Sequence, residues 1–427
     1  MKSRQFWVFI LFLALGALGR PLTGNAQFPA DTANETESNV IPYCLPDPLV
    51  MQSGSRVENA SQWTQVQRPY VYHLFEENVY GRYPRKRIAI RYQVREQSDS
   101  ALGGLAVRKQ VRIFLGSGSK APHIDVLMYL PKDAPGPVPV FLGLNFKGNA
   151  TVQPDPGIFL SGIPAYPAFK KENDDASRGT EASRWPVKAI IENHFGVVTA
   201  CFSDIEIDNK DGWKTGIRTT LEDELGIKPG EWGAIGAWAW GLSRIMDYLE
   251  KDGDVDHHKV AVLGLSRLGK TALWAGASDP RFSIVISNES GEGGAALARR
   301  WFGETVKLIN THFPYWFVAR YKAYNDNVFS LPVDQHELLS LIAPRPLYVA
   351  SAAGDLWSDP KGEFLSAWHA GEVYRLFGKK GVGANQMPPI NHPVGKTIQY
   401  HIRDGKHDIT RYDWEQYIDF ARSQWGK

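Results

Sequence analysis

The run Lys259-Val-Ala-Val-Leu-Gly-Leu-Ser-Arg-Leu-Gly-Lys-Thr-Ala-Leu-Trp-Ala-Gly276 constrains the fold more than any other stretch of the chain. Val260 to Leu263 is short, apolar and rich in β-branched residues, which predicts one buried strand. Gly264 ends it, and from Leu268 the spacing of Leu268, Ala272, Leu273 and Ala275 predicts an amphipathic helix. Ser266 lies between them. A serine on a sharp strand-to-helix turn lifts its hydroxyl above the sheet, where the first helical N–H groups can stabilise an oxyanion. The same letters also satisfy G-x-x-x-x-G-K-T, since Gly264 precedes Gly269-Lys270-Thr271 at the spacing of a phosphate-binding loop. Taken alone, the stretch fits either a nucleophile or a phosphate cradle.

The remaining strand ends separate the two. Residues 87–94, 110–115 and 123–130 alternate and are rich in Val, Ile and Tyr, which predicts strands joined by short turns in an antiparallel start. More continuously apolar runs at 138–145, 196–202, 282–287, 345–350 and 398–403 predict further strands, with helices expected over 235–249, 362–377 and 412–424. Long polar or aromatic insertions fall near 146–186, 203–231 and 295–340, and insertions of that length are more often functional than idle. Strands alternating with helices after an antiparallel start argue for a mostly parallel sheet covered on both faces. Active sites in such sheets lie at the carboxyl ends of the strands. Ser266, Glu289, Asp355 and His407 each follow a different predicted strand. The chain order Ser, acid, His is that of α/β-hydrolases, and a phosphate-binding fold has no need of an acid and a histidine so placed. The expected architecture is therefore an α/β-hydrolase fold, a three-layer sandwich with a mostly parallel central sheet and an antiparallel N-terminal part.

The N-terminus predicts a secretory signal over residues 1–26. Lys2 and Arg4 precede the apolar run Phe6 to Leu18, and Gly24-Asn-Ala26 is a small-residue cleavage site. The run is shorter than the roughly 18 to 20 residues needed to span a bilayer. Loss of Lys2, Arg4 and Arg20 takes the formal charge from +2 to −1, which excludes an electrostatic case for nucleic acid or an anionic membrane. The expected product is secreted or periplasmic, a single domain over 27–427, and a monomer. Cys44 and Cys201 could pair in an oxidising compartment, or Cys201 could be a buried free thiol in its strand. No Cys/His grouping has metal-ligand spacing, and His257-His258 reads as a solvated turn among Asp residues. Many of the 14 Trp residues are expected in the core, and an excess of Trp also suits sugar-binding surfaces.

With these motifs in place the sequence resembles the glucuronoyl esterases, in their bacterial branch. The resemblance rests on Gly264-Leu-Ser266-Arg267-Leu-Gly269-Lys270, in which the second glycine comes one residue later than in the general G-x-S-x-G elbow. It extends through Ser287-Asn-Glu289-Ser-Gly291-Glu-Gly293-Gly294, Asn310-Thr-His-Phe313-Pro314-Tyr-Trp316-Phe, Gly354-Asp355-Leu-Trp357-Ser-Asp-Pro and the His407 loop. It implies a serine esterase that needs no metal or cofactor and cleaves esters between lignin alcohols and (4-O-methyl-)glucuronic acid of glucuronoxylan. An acetylxylan or general carboxylesterase with the same triad is the alternative. Ser266 would attack the carbonyl and His407 would shuttle the proton. Two acids compete to orient His407. Asp355 occupies the usual α/β-hydrolase position, and Glu289 matches the position used by fungal members. Arg267 would help build the oxyanion hole, and a cation at a helix N-terminus, against the dipole, also asks for a functional reason. Lys270, Glu304 and Trp357 are implied as sugar-binding residues, with Arg320, Trp316 and Arg178 as further candidates for the same pocket.

Overall fold

The computed structural model describes residues 32–160 and 174–426, all within the compact unit Asp31–Lys427; the 1–26 leader and part of the 146–186 insertion lie outside the described residues. Ten strands form one sheet: β1 (Ile90–Ser100), β2 (Ala106–Leu115), β3 (His123–Pro131), β4 (Val138–Asn145), β5 (Gly196–Cys201), β6 (Val255–Leu265), β7 (Ile284–Asn288), β8 (Leu347–Ala352), β9 (Val394–Gly395) and β10 (Ile398–Arg403). Their order is β1-β2-β3-β5-β4-β6-β7-β8-β10-β9. From β1 to β5 neighbours run antiparallel, from β5 through β4, β6, β7 and β8 to β10 they run parallel, and β9 closes the edge antiparallel. The chain leaves β4 first to one side, for β5, and then to the other, for β6. A crevice at the carboxyl ends is expected beside such a reversal, and Ser266 follows β6 there.

Side-chain alternation along each strand sends the two faces to different helices. Phe141, Leu263, Ile286 and Tyr348 pack with Ile190, Trp414, Tyr417 and Phe420 from the helices Val187–Glu192 and Arg411–Trp425. The opposite face meets the helix Arg267–Ser278, where a Cβ on Gly276 would lie 2.4 Å from Val285 Cγ2. The helix Ala234–Leu249, expected to bury one face, buries every residue except Arg244 and Asp247. Its outer side is roofed by the 203–231 insertion, since Trp238 Nε1 donates to the Glu206 carbonyl at 2.9 Å.

One local expectation changes and one open choice closes. β6 begins at Val255, so His257 and His258 lie in its N-terminal half rather than in a turn. Cys44 and Cys201 are both free; Cys201 is buried, with its sulfur 3.0 Å from Ser203 Oγ. The N-terminal arm is tied to the rest of the unit, with Glu37 accepting from Arg300 at 2.8 Å and the Pro46 carbonyl 2.9 Å from His336 Nε2. Among the described residues no helix is long and apolar enough to cross a membrane.

Candidate active site

Ser266 sits in the left-handed region, at φ 59° and ψ −128°, a conformation that L-residues hold only when surrounding structure imposes it. Its N–H donates to the Asn288 carbonyl at 2.9 Å, and its own carbonyl accepts from Gly269 and Lys270 N–H at 2.8 and 3.1 Å. The two glycines have separate steric reasons. A Cβ on Gly264 would fall 2.0 Å from the Leu268 carbonyl oxygen. A Cβ on Gly269 would fall 2.9 Å from Ser290 Cβ and 3.2 Å from the Asn288 carbonyl. The second glycine therefore marks where the helix crosses the end of β7, which accounts for its later position.

His407 follows β10. Its Nδ1 lies 2.6 Å from Asp355 Oδ2 and 3.2 Å from Glu289 Oε2. Both carboxylates are buried, while the imidazole exposes 39% of its side chain. Burial opposes charge on His407, but the hydrogen bonds and charges of Asp355 and Glu289 outweigh it and raise its pKa to about 9. Burial also pushes Asp355 upward, yet its hydrogen bond and ion pair with His407 leave it below the usual value. Glu289 goes the other way. Burial, with the Asp355 charge added, overcomes His407 and Arg403 and raises it to about 7. Among the described residues these three side chains form a group that could share an ion, with ligand atoms within 4.8 Å of one another. Their facing atoms are committed instead to one another, to Arg403 and to the Asp408 N–H.

The other expected residues line the far side of the Ser266 turn. Arg267 is ion-paired through Nη1 with Asp208, and its guanidinium carbon lies 4.7 Å from the centroid of the Trp316 ring. Asp208 also accepts from Tyr315 Oη at 2.8 Å and Trp316 Nε1 at 2.7 Å. Among the described residues the buried Arg267 Nε has no hydrogen-bond partner. Lys270 is buried, donates to the Ser290 carbonyl at 2.5 Å and lies 3.9 Å from Glu304. Burial lowers the Lys270 pKa and raises that of Glu304, each opposed by the other's charge. Gly303, at φ 62°, lets the backbone pass 356–357 closely, and Glu304 N–H donates to the Trp357 carbonyl at 2.8 Å. Trp357 keeps 39% of its surface exposed beside this pair.

Trp316 belongs to this cluster, stacked on Phe313 with centroids 3.8 Å apart. Arg320 and Arg178 are engaged elsewhere: Arg320 pairs with Glu77 at 2.6 Å on the surface, and Arg178 binds Asp175 and the carbonyls of Asp155 and Ile158. Three residues are not singled out by the sequence reading. Asp208 holds Arg267. Arg403 binds Glu289 at 2.6 Å. Glu363, fully buried, accepts from Ser290 N–H at 2.7 Å, Gly291 N–H at 3.1 Å and Ser351 Oγ at 2.6 Å, fixing the turn after Glu289. Asp208 had a signal in the sequence. Asp204-Ile-Glu206-Ile-Asp208 follows the end of β5, on the carboxyl edge that carries the other four strand-end residues.

The family model described as "Glucuronyl esterase, fungi" matches residues 225–378, the stretch holding Ser266, Glu289, Glu304 and Asp355. Carbohydrate esterase MZ0003, from an unknown prokaryotic organism, is 49% identical over 395 residues, covering 91% of this chain and 91% of its own. The chain belongs to the glucuronoyl esterase family. Glucuronoyl esterase from Solibacter usitatus superimposes with a TM-score of 0.86 at 49% identity, over 91% of this chain and all (100%) of that one. A structure described as a promiscuous CE15 esterase from a marine bacterial metagenome gives the same TM-score of 0.86 at 47% identity, covering 92% of this chain and 100% of its own. The esterase is accordingly a carboxylic ester hydrolase of carbohydrate esterase family 15 with the α/β-hydrolase fold, in its bacterial branch.

Proposed function

We propose that this esterase hydrolyses esters of (4-O-methyl-)glucuronic acid, those joining lignin alcohols to glucuronoxylan, through a covalent acyl-enzyme on Ser266. Ser266 Oγ attacks the ester carbonyl while His407 Nε2 takes its proton. The oxyanion that forms is met by Arg267 and the backbone N–H groups at the start of its helix. Collapse breaks the bond to the alcohol oxygen, which leaves with the proton from His407. Water then attacks the acyl-enzyme with His407 again as base, releasing the free uronate and restoring Ser266. Lys270, Glu304 and Trp357 would hold the sugar, with Lys270 and Glu304 bonding its hydroxyls and the indole covering an apolar face. A leader at residues 1–26 would export a monomeric single-domain enzyme to where plant cell-wall polymer is met.

The observation that carries this reading is the buried Lys270–Glu304 pair, 3.9 Å apart, one turn along the helix from the strained serine. An acetyl group has no atoms for such a pair to bind. A broader carboxylesterase is the competing reading, favoured by the promiscuity named for the metagenomic relative. Parallel kcat/KM measurements on benzyl glucuronate and 4-nitrophenyl acetate decide between them. Preference for the glucuronate, abolished in Ser266→Ala and lost selectively in Lys270→Met, is expected; preference for the acetate refutes the reading.

A further inference from the structure

Two carboxylates reach the same imidazole nitrogen, yet their surroundings differ. Asp355 turns Oδ2 to His407 at 2.6 Å. Glu289 is held from three sides. Its Oε1 accepts from Arg403 Nη2 at 2.6 Å, its Oε2 accepts the Asp408 N–H at 2.9 Å, and its own N–H donates to the Ala350 carbonyl at 2.7 Å while its backbone sits at φ 46°. Its contact with His407, at 3.2 Å, uses an oxygen already shared with Asp408.

Arg403 is the last residue of β10 and is buried. Its guanidinium binds Asp413 Oδ2 through Nε at 2.8 Å and the Asp404 carbonyl through Nη1 at 3.0 Å. Nη2 adds the Lys406 carbonyl at 3.0 Å and the Asp408 carbonyl at 2.6 Å. Three carbonyls of the loop that carries His407, the Glu289 carboxylate and the Asp413 carboxylate thus converge on one rigid fork. Asp413 is anchored in turn by His401 Nε2 at 2.9 Å and Thr410 N–H at 2.6 Å, at the start of the closing helix. A buried charge must be paired, and Arg403 is the partner Glu289 has on the side away from His407.

We infer that Arg403 is a positioning residue: it neutralises Glu289 and ties it to the His407 loop, leaving Asp355 as the carboxylate that orients the imidazole and balances its charge. The inference rests on the serine-esterase reading above and goes beyond it by dividing labour between the two acids. Glu289 is a brace whose negative charge is countered by Arg403. The other titratable groups facing it are His407 and Asp355, with Glu363, Tyr400 and Tyr417 packed around from the neighbouring helix, strand and closing helix.

The test uses the full mature enzyme and two readouts, steady-state hydrolysis of benzyl glucuronate and the rate at which a fluorophosphonate labels Ser266. The second requires no particular substrate. Asp355→Asn is expected to lower both by about 10⁴, as loss of a triad acid does in other serine hydrolases. Glu289→Gln still offers an oxygen to Arg403 and is expected to stay within about 10-fold of the wild type. Arg403→Gln is expected to cut kcat by about 10² with KM nearly unchanged, because the His407 loop is displaced while the sugar side is not. Arg403→Lys is expected to recover part of that loss. Adding Glu289→Gln to Arg403→Gln is expected to raise kcat again, since it removes the carboxylate left without its partner. A melting curve for each variant separates misfolding from misplacement; if Arg403→Gln does not fold, Arg403→Lys and Glu289→Gln decide alone. The inference is overturned if Glu289→Gln loses as much as Asp355→Asn, if Arg403→Gln or Arg403→Lys in folded form keeps wild-type kcat, or if the double variant is worse than Arg403→Gln. Absence of Ser266 labelling in the wild type overturns the serine-esterase reading and this inference with it. Normal labelling with no hydrolysis of the glucuronate overturns only the substrate, and the labelling rates still decide on Arg403.

Discussion

Asp208→Asn isolates what the guanidinium of Arg267 contributes. The Asp208 side chain is fully buried and accepts from Arg267, Tyr315 and Trp316. Asparagine keeps one oxygen and the same shape, so Tyr315 and Trp316 retain an acceptor, but the charge that anchors Arg267 is gone. A hydrogen bond to a charged group contributes roughly 1.5–3 kcal/mol against about 0.5–1.5 for a neutral one. With the amide oxygen kept for Tyr315 and Trp316, the NH2 group replaces the oxygen that Arg267 uses and accepts nothing, so the whole charged bond is lost, about 1.5–3 kcal/mol or about 10- to 150-fold in rate if all of it is felt in the transition state. Complete loss of an oxyanion donor sets the ceiling, at about 10² to 10³. Arg267 exposes 22% of its side chain and stacks on Trp316, so it can turn to water rather than remain buried and unpaired; the stability loss is expected to stay near ~1 kcal/mol. The assay is kcat and KM on benzyl glucuronate for Asp208→Asn, Arg267→Met and the double variant. The expected result is a kcat decrease of about 10- to 100-fold in Asp208→Asn, with the double variant no slower than Arg267→Met. Wild-type kcat in Asp208→Asn, or fully additive losses in the double variant, refutes the reasoning.

In the proposed mechanism His407 serves as base only when neutral, and its pKa is raised to about 9, so kcat/KM is expected to climb about tenfold per pH unit below that value and to level off above it. The sign for stability is opposite. A raised histidine pKa contributes stability fully below its unfolded value near 6.5, and that contribution is lost as pH rises through about 9; a pH–rate profile and pH-dependent melting together check both limbs. Gly264→Ala would put a methyl group 2.0 Å from a backbone oxygen in a buried turn, a clash no side chain can relieve. It is expected to cost about 3 kcal/mol or more, read as a lowered denaturant midpoint or as loss of soluble protein.

The parallel half of the sheet and its carboxyl edge are legible in the sequence because their signals are local. β-branched runs, helical spacing and the residues just beyond each strand suffice to bring Ser266, Glu289, Asp355 and His407 to one edge. What escapes local reading depends on partners distant in the chain. Nothing near Arg403 announces that it will meet Glu289, which lies across the sheet from it. Asp204, Glu206 and Asp208 look alike as three alternating acids. Asp204 accepts a backbone N–H from Asp125 at 2.9 Å, Glu206 pairs with Arg218 at 2.6 Å, and Asp208 alone reaches Arg267. The two-residue β9 is too short to carry any periodicity, and the early start of β6 is hidden by Asp256, His257 and His258, which are polar because that end of the strand reaches the surface.

The hydrogen bond from Ser266 N–H to the Asn288 carbonyl joins the serine turn to the residue before Glu289, and Lys270 Nζ grips the Ser290 carbonyl just beyond it. The segments 264–270 and 287–291 are therefore stitched together at both ends of Glu289, and neither can drift in sequence without the other accommodating it. An engineer who transplants the serine loop into a related scaffold, or shuffles it among homologues, has to move both segments as one cassette. Chimeras whose breakpoint falls between them would keep every side chain named for chemistry and still lose the backbone register that aims them.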